Sequence, residues 1–580
     1  MNLTPSTRLE EYRTLTRQGS EAFWSRLKRW FLVSALVGVL TGLGVTALEF
    51  AVAGVWGRAG SGLGPVTVVL LPTFGLLLSG LCLQFLTVNP QIHGTEEVIE
   101  TFHERGGVFR FRSFPGKMLA SVATLGFGGS AGLEGPSIYA GGAIGSYTLR
   151  TIRRFGFSDD DVRTLMIAGA AAGVSAIFKA PLTGIVFALE VPYRDDLTRE
   201  ALIPSLVAAV SSYVVLVQFL GVEPLFRLTG RYTLGTVDLL YAAILGVGVG
   251  LVARAFVTSF HAIRRYAESL SLPLWVKTTA GGLVTGLLGL AALLIIGEPV
   301  VLGTGYEAIS DIIGGRYETL ELLAILMLKT GAVVATLASG AAGGIFIPMI
   351  MLGATAGAFM RAVVPAAAGG LFPVVGMAAF LAAGYNTPLA AAVFVAESTG
   401  GAGYIIPGLI GSAVAFSVAG RHSVSHKQRW RRETRMDRLM RLRVADVMTH
   451  DVDTVRETDS VKDFVELKVV PTGHRCMPVL DQGGRLCGMV SLADAARIPA
   501  ERWVTSCVAD AMTRDVITCG RGTLVGEIVT LMTDRDIGHV PVVAGDEEHA
   551  LVGIVSTSDI LALDEARAAW QWRRSGPDAS

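Results

Sequence analysis

A single carboxylate, Glu134, stands inside a run of small and apolar residues, KMLASVATLGFGGSAGLEGP from Lys117 to Pro136. Glycine lets backbone approach a ligand closely, and proline in the first helical turn forfeits only an N–H that has no partner there. The stretch therefore predicts a helix, a glycine-rich turn, and a second helix with Glu134 at about its N-cap. Free N–H groups and the positive end of the helix dipole make such a start an anion site. Two chemistries fit: the carboxylate competes with a bound anion, or it only caps a buried helix.

The stretch occurs twice. KTGAVVATLASGAAGGIFIP, Lys329 to Pro348, repeats the lysine, the threonine seven residues on (Thr124, Thr336), the glycine cluster and a proline 19 residues after the lysine. Further along, Pro181 precedes Glu190 by nine residues, as Pro388 precedes Glu397. Each half thus encodes helix, glycine turn, helix, proline turn, helix. Many of the scattered glycines also serve close helix packing in lipid.

The elements that carry these residues belong to a membrane protein. Of 580 residues, 51% are hydrophobic, 69 are glycine and only 17% are charged, too apolar a balance for a soluble multidomain chain. The charges cancel formally, yet they crowd into the N-terminal segment and beyond about Gly420. From residue 30 to 420 a series of apolar segments runs in two related halves, about 30–220 and 230–420. Several are well short of the ~20 residues a spanning helix needs. Short segments broken by Gly and Pro survive at membrane depth only inside protein or around a cavity, and in paired halves they point to a transport site. An ionisable residue there is a functional candidate by default.

Residues 1–29 read as a cytoplasmic segment with an interfacial helix anchored by Trp24 and Trp30. Residues 421–443 form a basic linker. By the positive-inside rule both place the termini in the cytoplasm. Residues 444–564 are soluble in character and repeat internally: Val447-Met448-Thr449 returns as Ala511-Met512-Thr513, and Gly488-Met489-Val490-Ser491 with Asp494 returns as Gly553-Ile554-Val555-Ser556 with Asp559. Alternating β-runs between helical patterns make this an α/β module. Residues 565–580 are a tail. Four of the five cysteines fall in this polar part without metal-like spacing, so reduced thiols and no metal site are expected. No nucleophile–base pair, metal triad or phosphate loop is present, which excludes the common enzyme classes, and nothing points to nucleic acid.

Gly-Leu-Glu-Gly-Pro at 132–136, Gly-Ile-Phe-Ile-Pro at 344–348 and the His93-Gly94 turn resemble the three anion-lining motifs of the CLC family of chloride channels and chloride/proton antiporters. The tandem module resembles a pair of CBS domains. The resemblance implies a polytopic α-helical membrane protein with inverted-repeat halves and broken helices, a cytosolic tandem CBS module, and a homodimer in the cell (inner) membrane. It implies Glu134 as gate, with His93, Gly94, Leu133, Gly135, Ile345 and Phe346 around a chloride or similar small anion.

Departures from the family pattern bear on coupling. His93 stands where a serine hydroxyl is usual, and it is an anion ligand, a pH sensor or a packed neutral residue. Leu133 replaces a basic residue, and the tyrosine often found near the end of the last helix is missing from 420–425. The internal proton-relay position falls on the non-ionisable Val191, with Glu190 one residue early. This favours channel-like or loosely coupled transport, with a stoichiometric anion/proton antiporter as the alternative. Bicarbonate, nitrate and fluoride stay open beside chloride. For the CBS pair the resemblance implies an adenosine nucleotide held by Asp494, Ser556, Thr557, Ser558 and Asp559, with dimerisation alone as the other role. No cofactor is required.

Overall fold

The computed structural model describes residues 5–561 apart from 61–63, 92–93, 153–156, 159–160, 227, 229–231, 233, 363, 365–369, 433–434 and 546–549. The chain divides into two compact units, Met1–Arg431 and Arg432–Ser580.

The first unit is helical. Among the described residues, eight helices are long and apolar enough to cross a bilayer. The first helix, α1 (Pro5–Ala59), runs without a break, and its apolar part, Leu27–Ala59, is the first of these spans. Then follow α2 (Pro65–Leu86), α3 (Thr95–Glu104), α4 (Phe114–Gly126), α5 (Glu134–Ile152), α6 (Asp161–Phe178), α7 (Pro181–Glu190) and α8 (Leu202–Leu220). The second half contributes α9 (Thr236–Ser269), α10 (Leu274–Ile296), α11 (Tyr306–Gly314), α12 (Thr319–Ala338), α13 (Phe346–Phe359), α14 (Leu371–Tyr385), α15 (Pro388–Thr399) and α16 (Ile405–Ala419). The short members α7, α13, α14 and α15 sit inside the bundle, where α13 and α14 are almost wholly buried.

The sequence repeat becomes a structural one. Helix α5 crosses α6 at Gly141 and Gly169, where a Cβ on either would stand 2.0 Å from the other's carbonyl oxygen. Helix α13 crosses α14 the same way at Gly353 and Gly376, with corresponding separations of 2.3 and 2.2 Å. Only glycine permits backbones this close. The repeated threonines stitch the halves together. Thr124 donates to Ser79 Oγ at 2.8 Å, and Ser79 accepts from the Ala342 N–H at 3.4 Å. Across the pseudo-two-fold, Thr336 pairs with Thr285 at 2.9 Å and accepts from the Ser130 N–H at 3.2 Å.

The second unit holds two three-stranded sheets. In the first, β1 (Val455–Arg456) pairs parallel to β2 (Cys476–Leu480), which pairs antiparallel to β3 (Leu486–Ser491). The second repeats this with β4 (Cys519–Gly520), β5 (His539–Val543) and β6 (Leu551–Ser556). The segments before each sheet are exchanged: Thr449 bridges Ile554 of β6, and Thr513 bridges Met489 of β3. Met448 and Met512 then fill the space left by Gly553 and Gly488, whose Cβ atoms would lie 2.7 and 2.5 Å from the methionine sulfurs.

Candidate functional site

Where α4 ends, the chain turns through Gly128 to Gly132, and where α12 ends it turns through Gly340 to Gly344. The two turns meet. Gly132 and Gly344 form an isolated antiparallel bridge, exchanging N–H···O bonds of 2.8 and 2.7 Å. The bridge sets the starts of α5 and α13 side by side, one from each half.

Glu134 opens α5 and lies in this joint, 3% exposed. Its Oε1 accepts from the Phe346 N–H at 2.5 Å, across to the other half, and the N–H groups of Ile347 and Glu134 itself also face the carboxylate. Oε2 is buried with no hydrogen-bond partner. The fit depends on glycine, since a Cβ on Gly132 would stand 1.9 Å from Oε2 and one on Gly344 2.1 Å from Oε1. Gly94, at φ +64°, approaches the same place, where its Cβ would lie 3.3 Å from Gly135 Cα. Gly94, Leu133, Glu134, Gly135, Ile345 and Phe346 are therefore brought together from three separate stretches. His93 lies outside the described residues.

A cavity of about 100 Å³ reaches the Gly344–Ile345 peptide and is lined in part by Thr95, Tyr385, Val424 and Ser425. Ser425 Oγ is buried without a partner, and the Tyr385 hydroxyl bonds to Thr95. Sequence reasoning sought a tyrosine only at 420–425. The one at this cavity comes from the end of α14, just before Asn386 in the left-handed conformation. The signal was a lone polar aromatic closing an apolar helix ahead of Thr387-Pro388.

Val191 is fully buried, and its carbonyl accepts from Gln428 Nε2 at 3.0 Å. Glu190 is taken up elsewhere, accepting from the N–H groups of Leu389 and Ala390 at 3.3 and 2.9 Å and so capping α15. Glu397, its repeat, caps α7 through the N–H groups of Leu182 and Thr183 at 3.0 and 2.6 Å and the Thr183 hydroxyl at 2.6 Å. The two carboxylates thus cap each other's helices. The repeated lysines differ: Lys117 is ion-paired with Glu97 of α3, whereas Lys329 donates to the carbonyls of Val301 and Gly303 at 3.2 Å each.

In the second unit, Asp494 accepts from Ser491 N–H and hydroxyl, and Asp559 does the same from Ser556, each closing a helix-start box after β3 or β6. Asp559 also accepts from Thr449 Oγ1 at 3.2 Å. Thr557 and Ser558 are exposed beside it.

Paired broken helices whose starts converge on a buried carboxylate, followed by two exchanged α/β repeats, define a multi-pass transporter or channel for small anions with a tandem α/β module attached. Comparison with known proteins gives the family. The model of the voltage gated chloride channel family matches residues 74–420, and the CBS domain model matches 444–501 and 508–565. The H(+)/Cl(−) exchange transporter ClcA of Salmonella arizonae is 32% identical over 401 residues, 65% of this chain and 83% of that one. Two solved structures share the fold. A CLC-type fluoride/proton antiporter has a TM-score of 0.61 at 24% identity, over 70% of this chain and 98% of its own. A eukaryotic CLC transporter has a TM-score of 0.58 at 19% identity, over 92% and 98%. The chain belongs to the voltage-gated chloride channel (CLC) family, with two CBS domains. It transports anions and is not an enzyme.

Proposed function

We propose that Glu134 is a protonatable gate in a pathway for chloride or a similar small anion. The carrying observation is its carboxylate lying across the joint between the two halves, bonded to the Phe346 N–H at 2.5 Å. An anion that displaces the carboxylate meets the same amides, among uncharged donors that bind it loosely enough to release it. Protonation removes the charge that holds Glu134 there, so acid opens the path. Gly94, Leu133, Gly135, Ile345 and Phe346 line it, with His93 as a further candidate and the Tyr385 hydroxyl standing in for the one missing from 420–425. The protein works as a homodimer in the cell (inner) membrane, with both termini cytoplasmic by their basic residues.

Transport in this reading is channel-like or loosely coupled, because Val191 carries no proton and Glu190 is occupied in capping α15. The second reading, stoichiometric anion/proton exchange, draws support from the exchange transporter at 32% identity. Simultaneous recording of anion efflux and proton uptake in liposomes separates them, since only an exchanger drives protons uphill on an anion gradient. In either reading an adenosine nucleotide at Asp494, Ser556, Thr557, Ser558 and Asp559 regulates the pathway. Loss of both nucleotide binding and nucleotide effect in Asp559→Ala is the expected result.

A further inference from the structure

Two arginines meet without an acid between them where the last span ends. Helix α16 stops at Ala419, and Arg421 follows within two residues. Arg194 arrives from another part of the chain. Tyr193 and Arg429 form a parallel bridge, and the N–H groups of Arg194 and Asp195 donate to the carbonyls of Arg429 and Trp430 at 3.0 and 3.1 Å. From there Arg194 Nη1 donates to the Arg421 carbonyl at 3.0 Å.

Among the described residues neither guanidinium has a carboxylate partner. Asp195 is engaged by Arg431, at 3.1 Å from Nε and 3.0 Å from Nη2. Arg194 Nε is buried with no hydrogen-bond partner at all. Burial, and then the charge of Arg421, hold the Arg194 guanidinium below its usual range, as expected for a cation short of a counter-charge. Beside the pair, the Arg421 guanidinium stands over the Trp430 ring, 5.3 Å from its centroid, and Trp430 is 49% exposed. An exposed tryptophan at the end of a span belongs at the membrane–water boundary.

We propose that Arg194 and Arg421 form a seat for a phosphate-ester anion, the headgroup of an anionic lipid, with Trp430 lying at headgroup depth. Guanidinium is the cation suited to it, since its planar fork matches phosphate geometry where an ammonium offers a point charge. Basic residues beside the cytoplasmic leaflet also gain from its negative surface potential. The seat is separate from the anion pathway and does not depend on how that pathway is read.

The test is native mass spectrometry of the full-length protein titrated with phosphatidylglycerol, phosphatidylcholine or inorganic phosphate. Each basic contact to an anionic headgroup is worth ~1 kcal/mol, or about fivefold in affinity, so Arg421→Gln should weaken phosphatidylglycerol binding about fivefold and R194Q/R421Q about 25-fold. Phosphatidylcholine binding should change little. The Arg421 side chain donates no hydrogen bond among the described residues, so R421Q should keep the native fold and its anion flux in neutral liposomes. Phosphatidylglycerol held by the double variant as tightly as by the wild type overturns the proposal. Inorganic phosphate bound with the same arginine dependence, and no preference for lipid, keeps the phosphate seat and overturns its assignment to lipid.

Discussion

Exchange of Glu134 for glutamine keeps the side chain's shape and removes the charge that the proposed gate sets against the anion. The native carboxylate accepts from the Phe346 N–H at 2.5 Å. A hydrogen bond to a charged acceptor contributes about 1.5–3 kcal/mol and a neutral one about 1 kcal/mol, so the amide holds its place less strongly by roughly 0.5–2 kcal/mol. At 1.4 kcal/mol per tenfold, the anion's apparent affinity at the joint should rise about 2- to 30-fold. The assay is isothermal titration of chloride together with anion efflux and proton uptake from liposomes over a pH series. Native flux should increase as pH falls, because protonation releases the carboxylate from the amides. E134Q should flatten that dependence and abolish any coupled proton movement. An E134Q variant that titrates like the native protein, with unchanged anion affinity, would refute the competition.

Three further outcomes are expected. Glu397→Ala removes three hydrogen bonds at the start of α7, one of them from the Thr183 hydroxyl, and should cost about 3 kcal/mol or more. An unchanged melting midpoint in detergent would contradict the capping role. Gly169→Ala drives a methyl to 2.0 Å from the Gly141 carbonyl and should cost about 3 kcal/mol or more, whereas Gly248→Ala, with open space around it, should be tolerated. Equal yields of folded protein from the two would overturn the packing account. Among the thiols, burial pushes Cys519 up to about 11, while Cys507 is exposed. Maleimide at neutral pH should therefore label Cys507 rapidly and Cys519 only after unfolding, and mass spectrometry of the labelled peptides would reveal any reversal.

Much of the membrane unit was legible because both halves keep the same punctuation. Lys, Thr, Gly and Pro recur at matched spacings in 117–136 and 329–348, and each type has one dominant use at a helix end or a close crossing. The meeting of Gly132 with Gly344 was inferable from that symmetry. What stayed hidden depended on contacts between distant stretches. Helix α3 lies in a charged stretch that shows no membrane-like apolar run, so Glu97 as the partner of Lys117 left no local trace. The reciprocal capping by Glu190 and Glu397 joins residues about 200 apart, and spacing alone could show that they repeat but not that each serves the other's helix. The exchange of the Thr449 and Thr513 segments between the two sheets was equally silent, since either pairing satisfies the same alternation of apolar residues.

The Gly132–Gly344 joint also limits how this molecule can move. A swing of one half away from the other would have to sever both N–H···O bonds that the two peptides exchange, at a place where Gly132 and Gly344 are both buried. With Glu134 as the proposed gate, the walls of the pathway are fixed masonry, and the moving part shrinks to a single swinging latch of a few atoms.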